Sequence, residues 1–181
     1  LFRSEKTNDD LEDEFKLTPI KAAAVLRAGI RKLAEHRKQR VPPRQDGKII
    51  TDLNGAIISA VIKAGLALGR KDWIAAARSV FDRIYQSHFD SARLLRRSVV
   101  NGHLGKPATL SDYAQLSNAA LRLYETSGKT GYLDHAKFIV EQAISLMWDS
   151  KNHGFFSNNK QQTRYLLVRT KTIVDSDARS A

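Results

Sequence analysis

Carboxylates and cations gather in three polar segments of this chain, two of them leading into apolar runs. The first holds Arg44, Asp46, Lys48, Asp52 and Asn54. The second holds Ser111, Asp112 and Tyr113, and the third Arg169, Lys171, Asp175, Asp177 and Ser180. Several carboxylates converging on one pocket suit general acid–base work on a polyol or sugar. Asp46 and Asp112 are the candidate catalytic pair. Arg44, Lys48, Asn54, Tyr113, Arg169, Lys171 and Asp175 are candidate substrate-binding groups, their cations orienting an anionic or polyhydroxylated ligand. The same residue types also have a structural use. Asp52 and Ser111 read as helix caps, worth about 1 kcal/mol each, and Ser111 would spare Asp112 that duty. Asp46 lies before the helix and can pair with Lys48 or Arg44, while Tyr113 and Tyr124 also suit core packing.

Other chemistries find no support in these residues. With no cysteine, disulfides, thiolate metal sites and thiol nucleophiles are excluded. His36, His88, His103, His135 and His153 lie outside the three segments, and no two have metal-ligand spacing. No metal or other cofactor is expected. An epimerase would want a histidine or similar base, so hydrolysis by paired carboxylates is the easier fit. Neither a glycine-rich phosphate loop nor a nucleophile elbow is present.

Lys and Arg number 30 against 19 Asp and Glu, a net charge of +11 that can signal nucleic acid. The basic residues Arg31, Lys32, Arg37, Lys38 and Arg40 lie on and just after a helix with acidic flanks. No aromatic residues interleave them for base stacking. A solvated basic face is the expected reading, and nucleic acid is not an expected partner. No apolar run approaches membrane-spanning length and no signal-peptide order is present, so a cytoplasmic protein without a membrane partner is expected.

The elements that must position these residues are helical. Thr18-Pro19 starts a helix as a cap followed by proline at the first position, and the helix runs to about Gln39 with Ala23, Leu26, Ile30, Leu33 and Ala34 at helical spacing. Val41-Pro42-Pro43 ends it. A second helix, about Asp52 to Leu68, is apolar almost all round and is expected to be buried on most sides. A third, about Asp72 to His88, carries one stripe of Trp73, Ala77, Val80, Phe81, Ile84 and Tyr85, as an outer helix packed on an inner one would. The pattern then returns at an offset of 59 residues: Gly69 as Gly128, Trp73 as Tyr132, Ala77 as Ala136, Phe89-Asp90 as Trp148-Asp149. A second inner helix is expected over about Leu110 to Thr126.

Extended pieces with turn signals follow each outer helix. These are Arg93 to Arg96 with Val99-Val100-Asn101-Gly102, then Gly154-Phe155-Phe156 with Tyr165 to Val168. The unit is inner helix, outer helix, small β-hairpin. A fixed period of this kind indicates repeat architecture, and all-round apolar inner helices suit a closed double-layered ring. The fold class is therefore all-α: helical hairpins forming part of an (α/α)6 toroid over residues 18–181, after a polar leader at 1–17. The start at Leu1 and the polar stretch Asp175 to Ala181 lead us to expect a piece of a longer chain.

Several runs resemble one family in order. Arg44-Gln45-Asp46-Gly47-Lys48 through Asp52-Leu53-Asn54-Gly55 resembles the "P-x-x-D-D-K…W-N-G" segment of YyaL-type thioredoxin-domain-containing proteins, known in animals as spermatogenesis-associated proteins. Leu110-Ser111-Asp112-Tyr113-Ala114 resembles their "L-x-D-Y-A". Leu123 to Thr126, Trp148-Asp149, Gly154-Phe155-Phe156 and Arg169-Thr170-Lys171 through Asp175 follow. The resemblance implies an N-terminal thioredoxin-like domain outside these residues and a toroid similar to N-acylglucosamine 2-epimerases and six-hairpin glycosidases. It departs at Gly47 for the second Asp, Leu53 for the Trp, and Arg179-Ser180-Ala181 for "P-S-G". A carbohydrate-active or carbohydrate-binding toroid is the leading expectation, with a sugar or polyol ligand. The alternative is a non-catalytic module that supports a thioredoxin-like domain in redox or protein-quality work.

Overall fold

A computed structural model of the chain describes residues 16–43, 45–159 and 169–171. The chain divides into two compact units, Leu1–Asp46 and Gly47–Ala181. The candidate residues Arg44 and Asp175, like Asp177, Ser180 and the strand expected over Tyr165 to Val168, lie outside the described residues.

The first unit contributes helix α1, Pro19–Lys38, with Thr18 at its N-cap and proline in its first turn. Proline suits that position because its missing N–H would have no helical acceptor there. The expected apolar stripe is present. Nevertheless Leu26, Ile30 and Leu33 are exposed, and only Ala22 of the helix is buried.

The second unit begins with the two-residue strand β1 (Ile49–Ile50), followed by α2 (Thr51–Ala67) and α3 (Lys71–Ser87). Strands β2 (Ser98–Val100) and β3 (His103–Leu104) come next, then α4 (Leu110–Ser127) and α5 (Thr130–Met147). The 59-residue period is visible in the backbone itself. The inner helices α2 and α4 start 59 residues apart, and so do the outer helices α3 and α5. Between each pair sits a glycine in the left-handed region, Gly69 at φ 65° and Gly128 at φ 66°, which ends the inner helix without the Cβ clash another residue would meet. Beyond the outer helices the likeness continues. Phe89 bridges to Leu95 and Trp148 to Phe155. Asp90 and Asp149 each turn a carboxylate oxygen back onto the loop amides two residues ahead.

The strands form one antiparallel sheet in the order β1-β2-β3, with Ile49 opposite Val99 and Val99 opposite Leu104. Asn101 and Gly102, both at positive φ, make the tight turn between β2 and β3. The core runs between the helix layers. Ile58 and Ile62 of α2 and Phe81 and Ile84 of α3 join Leu116, Ala120 and Leu123 of α4 and Ile139 and Met147 of α5.

Two expectations need correction. Helix α2 is not buried on most sides: Gly55, Ile58, Ile62 and Gly65 form the buried face, while Leu53, Ile57 and Leu66 are exposed. Its packing neighbours α3 and α4 cover one side only, so all-round apolarity here does not mean all-round burial. Val80, placed in the buried stripe of the outer helix, is likewise exposed, and Ala77, Phe81 and Ile84 carry that face.

Candidate functional site

The two inner helices start side by side, and the segment leading into β2 holds both starts together. Thr51 donates its N–H to the Arg97 carbonyl at 2.8 Å and its hydroxyl to the Arg96 carbonyl at 2.6 Å. Arg97 in turn donates its N–H to the Lys106 carbonyl at 2.9 Å. Its side chain is thereby fixed across the two helix starts. Arg97 Nη1 lies 3.3 Å from Asp52 Oδ2, 3.3 Å from Asp112 Oδ2 and 3.1 Å from Thr109 Oγ1.

Asp112 is the centre of this cluster. Its Oδ2 accepts from the Thr109 N–H at 2.7 Å and from the Thr109 hydroxyl at 2.8 Å. Its Oδ1 accepts from the Asp52 N–H at 3.0 Å, so a carboxylate on α4 caps the start of α2. The anion also sits where two helix dipoles are positive. Burial pushes the Asp112 carboxyl above the usual carboxylate range. The Thr109 donors and Arg97 work against that rise and the neighbouring Asp52 charge adds to it. Asp112 is buried, Asp52 nearly so, and Arg97 half-exposed, so Arg97 and the rim of Asp52 are what a solute meets.

The capping expectations therefore change. The N-cap of α4 is Thr109 and that of α2 is Ile50, so neither Ser111 nor Asp52 caps. Asp112 supplies the N3 arm of a capping box with Thr109. Asp52 turns its Oδ1 to the next amide, Leu53 N–H, at 2.7 Å. Arg97, which is not among the sequence candidates, joins the two carboxylates, and neither its charge nor its spacing announced that.

The other sequence candidates are spread out. Asn54 donates its amide to the Ile50 carbonyl at 2.7 Å and so helps hold the start of α2. Tyr113 is buried in the core, and its hydroxyl is pushed up to about 12 by that burial. Asp46 is exposed in the final segment of the first unit, and Lys48 is exposed just before β1 in the second. Arg169 and Lys171 sit together elsewhere, on the loop after α5. The Arg169 guanidinium lies 3.8 Å from the centroid of Phe156 and donates to the carbonyls of Leu146 and Asn158. Lys171 Nζ is 2.8 Å from Asp149 Oδ2. Both cations secure the chain's own loop.

The Lys171 contact, helped by Asn152, holds the Asp149 carboxyl far below the usual carboxylate range. Loop stability from this pair is thus present above the ordinary Asp pKa of 3.8 and is lost as pH falls through the depressed folded value. Lys171→Met is expected to raise the Asp149 pKa toward its ordinary value, measured by carboxyl NMR titration. An unmoved Asp149 would show that the ion pair does not hold the loop.

No protein-family model matches this chain. Over 166 residues, 87% of its length, it is 30% identical to human spermatogenesis-associated protein 20. The chain is a homologue of the spermatogenesis-associated proteins. The family resemblance carried by its motifs holds, although the chain spans only 21% of the human protein's length. Two solved structures share the fold. One is a GH76 α-mannanase from Bacteroides thetaiotaomicron, with a TM-score of 0.58 and 14% identity over 65% of this chain and 34% of that one. The other is cellobiose 2-epimerase from Spirochaeta thermophila, with a TM-score of 0.56 and 15% identity over 64% and 30%. The architecture is that of part of an (α/α)6 toroid. Among the described residues no helix is long and apolar enough to cross a membrane.

Proposed function

We propose that this chain forms part of a carbohydrate-binding toroid whose ligand meets the starts of its inner helices at Asp52 and Arg97. The observation that carries this reading is the Asp52–Arg97–Asp112 cluster, which joins two consecutive inner helices at one end. Two sugar-processing enzymes supply the supporting likeness of fold, which is an argument by analogy. A guanidinium beside a carboxylate offers donors and acceptors to vicinal hydroxyls, the pattern a polyol presents. With two aspartates to one arginine the cluster repels anions. The ligand is therefore a neutral sugar, the polyhydroxylated rather than the anionic of the two classes that Lys48, Arg169 and Lys171 suggested. The thioredoxin-like domain implied by the resemblance would lie in the part of the relatives this chain does not span.

From sequence, Asp46 and Asp112 are the candidate acid and base. Asp112 would have to leave four donors to move a proton, so its role in the proposal is to position Asp52 and Arg97. Binding without turnover is what the geometry favours. The test is calorimetric titration of the purified protein with mannobiose and cellobiose. Asp52→Asn, which keeps the side-chain volume, is expected to weaken binding by about tenfold, the worth of one hydrogen bond to a charged group. Asp46→Asn, outside the cluster, should leave the affinity in place. Equal affinity of Asp52→Asn and the unaltered protein would sink the proposal.

A further inference from the structure

At the ends of the inner helices away from Asp52 and Arg97, the junction of the two hairpins holds a cavity of about 490 Å³. Its walls come from the last turn of α2, the first turns of α3 and Thr126 near the end of α4, so both hairpins build it. Gly65 sets the close approach of α2 and α3 along one wall. A Cβ there would lie 2.9 Å from Ile74 Cγ1 and 3.1 Å from the Arg70 carbonyl oxygen. Helix α3 gives the cavity one face, with Lys71, Ile74, Ala75 and Arg78 at i, i+3, i+4 and i+7. The two cations start two turns apart, about 10 Å along the helix axis, and the apolar pair lies between them. Leu66 of α2 extends that apolar stretch.

No carboxylate lines the cavity. The two nearest along α3 are engaged elsewhere. Asp72 accepts from Arg70 Nε at 2.9 Å and from Arg70 Nη2 at 2.7 Å. Asp82, one turn beyond Arg78, has its oxygens 3.1 and 3.4 Å from the Tyr132 hydroxyl of α5, which donates to them. Among the described residues neither Lys71 nor Arg78 forms an ion pair, and Arg78 Nε is buried with no hydrogen-bond partner. A buried donor on a charged group is costly to leave unpaired, and an acceptor entering from the cavity would remove that cost. Lys71 opens α3, whose N-terminus has no side-chain cap, so the helix dipole adds to its charge.

We propose that this cavity binds a linear dicarboxylate. One carboxylate meets Lys71 and the start of α3, the other meets Arg78, and the aliphatic middle lies against Leu66, Ile74 and Ala75. A guanidinium takes a carboxylate through two parallel N–H donors, which suits the Arg78 end. A ligand with one charge would leave one cation unanswered, and a neutral ligand would leave both. The site stands apart from the Asp52–Arg97–Asp112 cluster, which lies at the opposite ends of the same helices.

Calorimetric titration of the chain with suberate, octanoate and octanediol tests this. Suberate is expected to saturate a single site, with octanoate about tenfold weaker and octanediol weaker again. Lys71→Gln and Arg78→Gln should each weaken suberate by about tenfold, to the level of octanoate. Ala75→Leu fills the apolar middle without touching either cation and should abolish binding. Lys71 and Ala75 are exposed, so those two variants should fold, as circular dichroism would verify. Suberate should shift the amides of Gly65, Gly69 and Ile74 and spare that of Asp52. Octanoate or octanediol binding as tightly as suberate overturns the proposal. So does suberate affinity that survives Ala75→Leu or both glutamine variants, or the absence of saturable suberate binding.

Discussion

Gly55→Val is expected to unfold the paired inner helices, and Gly55→Ala to destabilise the chain by about 1–3 kcal/mol, the usual cost of overpacking a tight core. A Cβ at this position would lie 2.7 Å from the Gln115 carbonyl carbon and oxygen and 2.9 Å from the Leu116 nitrogen. All three are backbone atoms of α4, so no side chain can swing away and the helices themselves must part. The gain in helix propensity on replacing glycine, about 1 kcal/mol, does not offset this. Valine adds two methyl groups to the same collision. Thermal unfolding checks the order, with about 2–4 °C lost per kcal/mol for a chain of this size. Gly131→Ala is the matched control, since nothing lies within 4 Å of a Cβ there, and it should not lower the melting temperature. If Gly55→Ala melts with the control, the inner helices are not packed backbone to backbone.

Asp112→Ala is expected to cost about 3–5 kcal/mol, because three donors lose their acceptor at about 1–3 kcal/mol each. Alanine strands the Thr109 and Asp52 amides and the Thr109 hydroxyl, and leaves Arg97 with one carboxylate instead of two. Asp112→Asn should also destabilise, because both oxygens accept hydrogen bonds and an amide must turn its NH2 toward one set of donors. The pH dependence separates this from simple loss of packing. The folded pKa of Asp112 is raised above 3.8, so its contribution is fully present below that value and declines as pH rises through the folded pKa. In urea melts the stability difference between the unaltered chain and Asp112→Asn should therefore shrink as pH rises through that value, since carboxylates such as Asp149, whose slopes have the opposite sign, are common to both. Identical slopes would mean that Asp112 is not the titrating group.

Periodicity was the most legible signal in these residues. Gly69 and Gly128 marked the hairpin turns, Asn101-Gly102 marked the β-turn, and the offset of 59 set both pairs of helix starts. What could not be read was which face of an apolar helix finds a neighbour. Leu53 and Ile57 look as buried as Ile58 and Ile62 in sequence, and only the packing of α3 and α4 divides them. At the site, Asp112 could be picked out but its role could not. The signal was present three residues upstream: Thr109 to Asp112 has the spacing of a capping box, which makes Asp112 rather than Ser111 the capping partner. Arg97 was hidden because its contacts to Asp52 and Asp112 span 45 and 15 residues and depend on a strand register. Arg169 and Lys171 looked like ligand groups because a cation's partners, here Phe156 and Asp149, are not written beside it.

On the proposed reading, the inner-helix starts at Asp52, Arg97 and Asp112 form the surface that meets a neutral sugar. The most direct measurement is a disaccharide titration of the isotope-labelled protein, followed by NMR at backbone amides and the arginine side chain. Saturable shifts are expected at Asp52, Leu53 and the Arg97 Nε–H, with glucose 6-phosphate giving weaker ones because of its charge. Shifts confined to the Arg169–Lys171 loop, or saturable binding that leaves Asp52 and Arg97 unmoved, would contradict it.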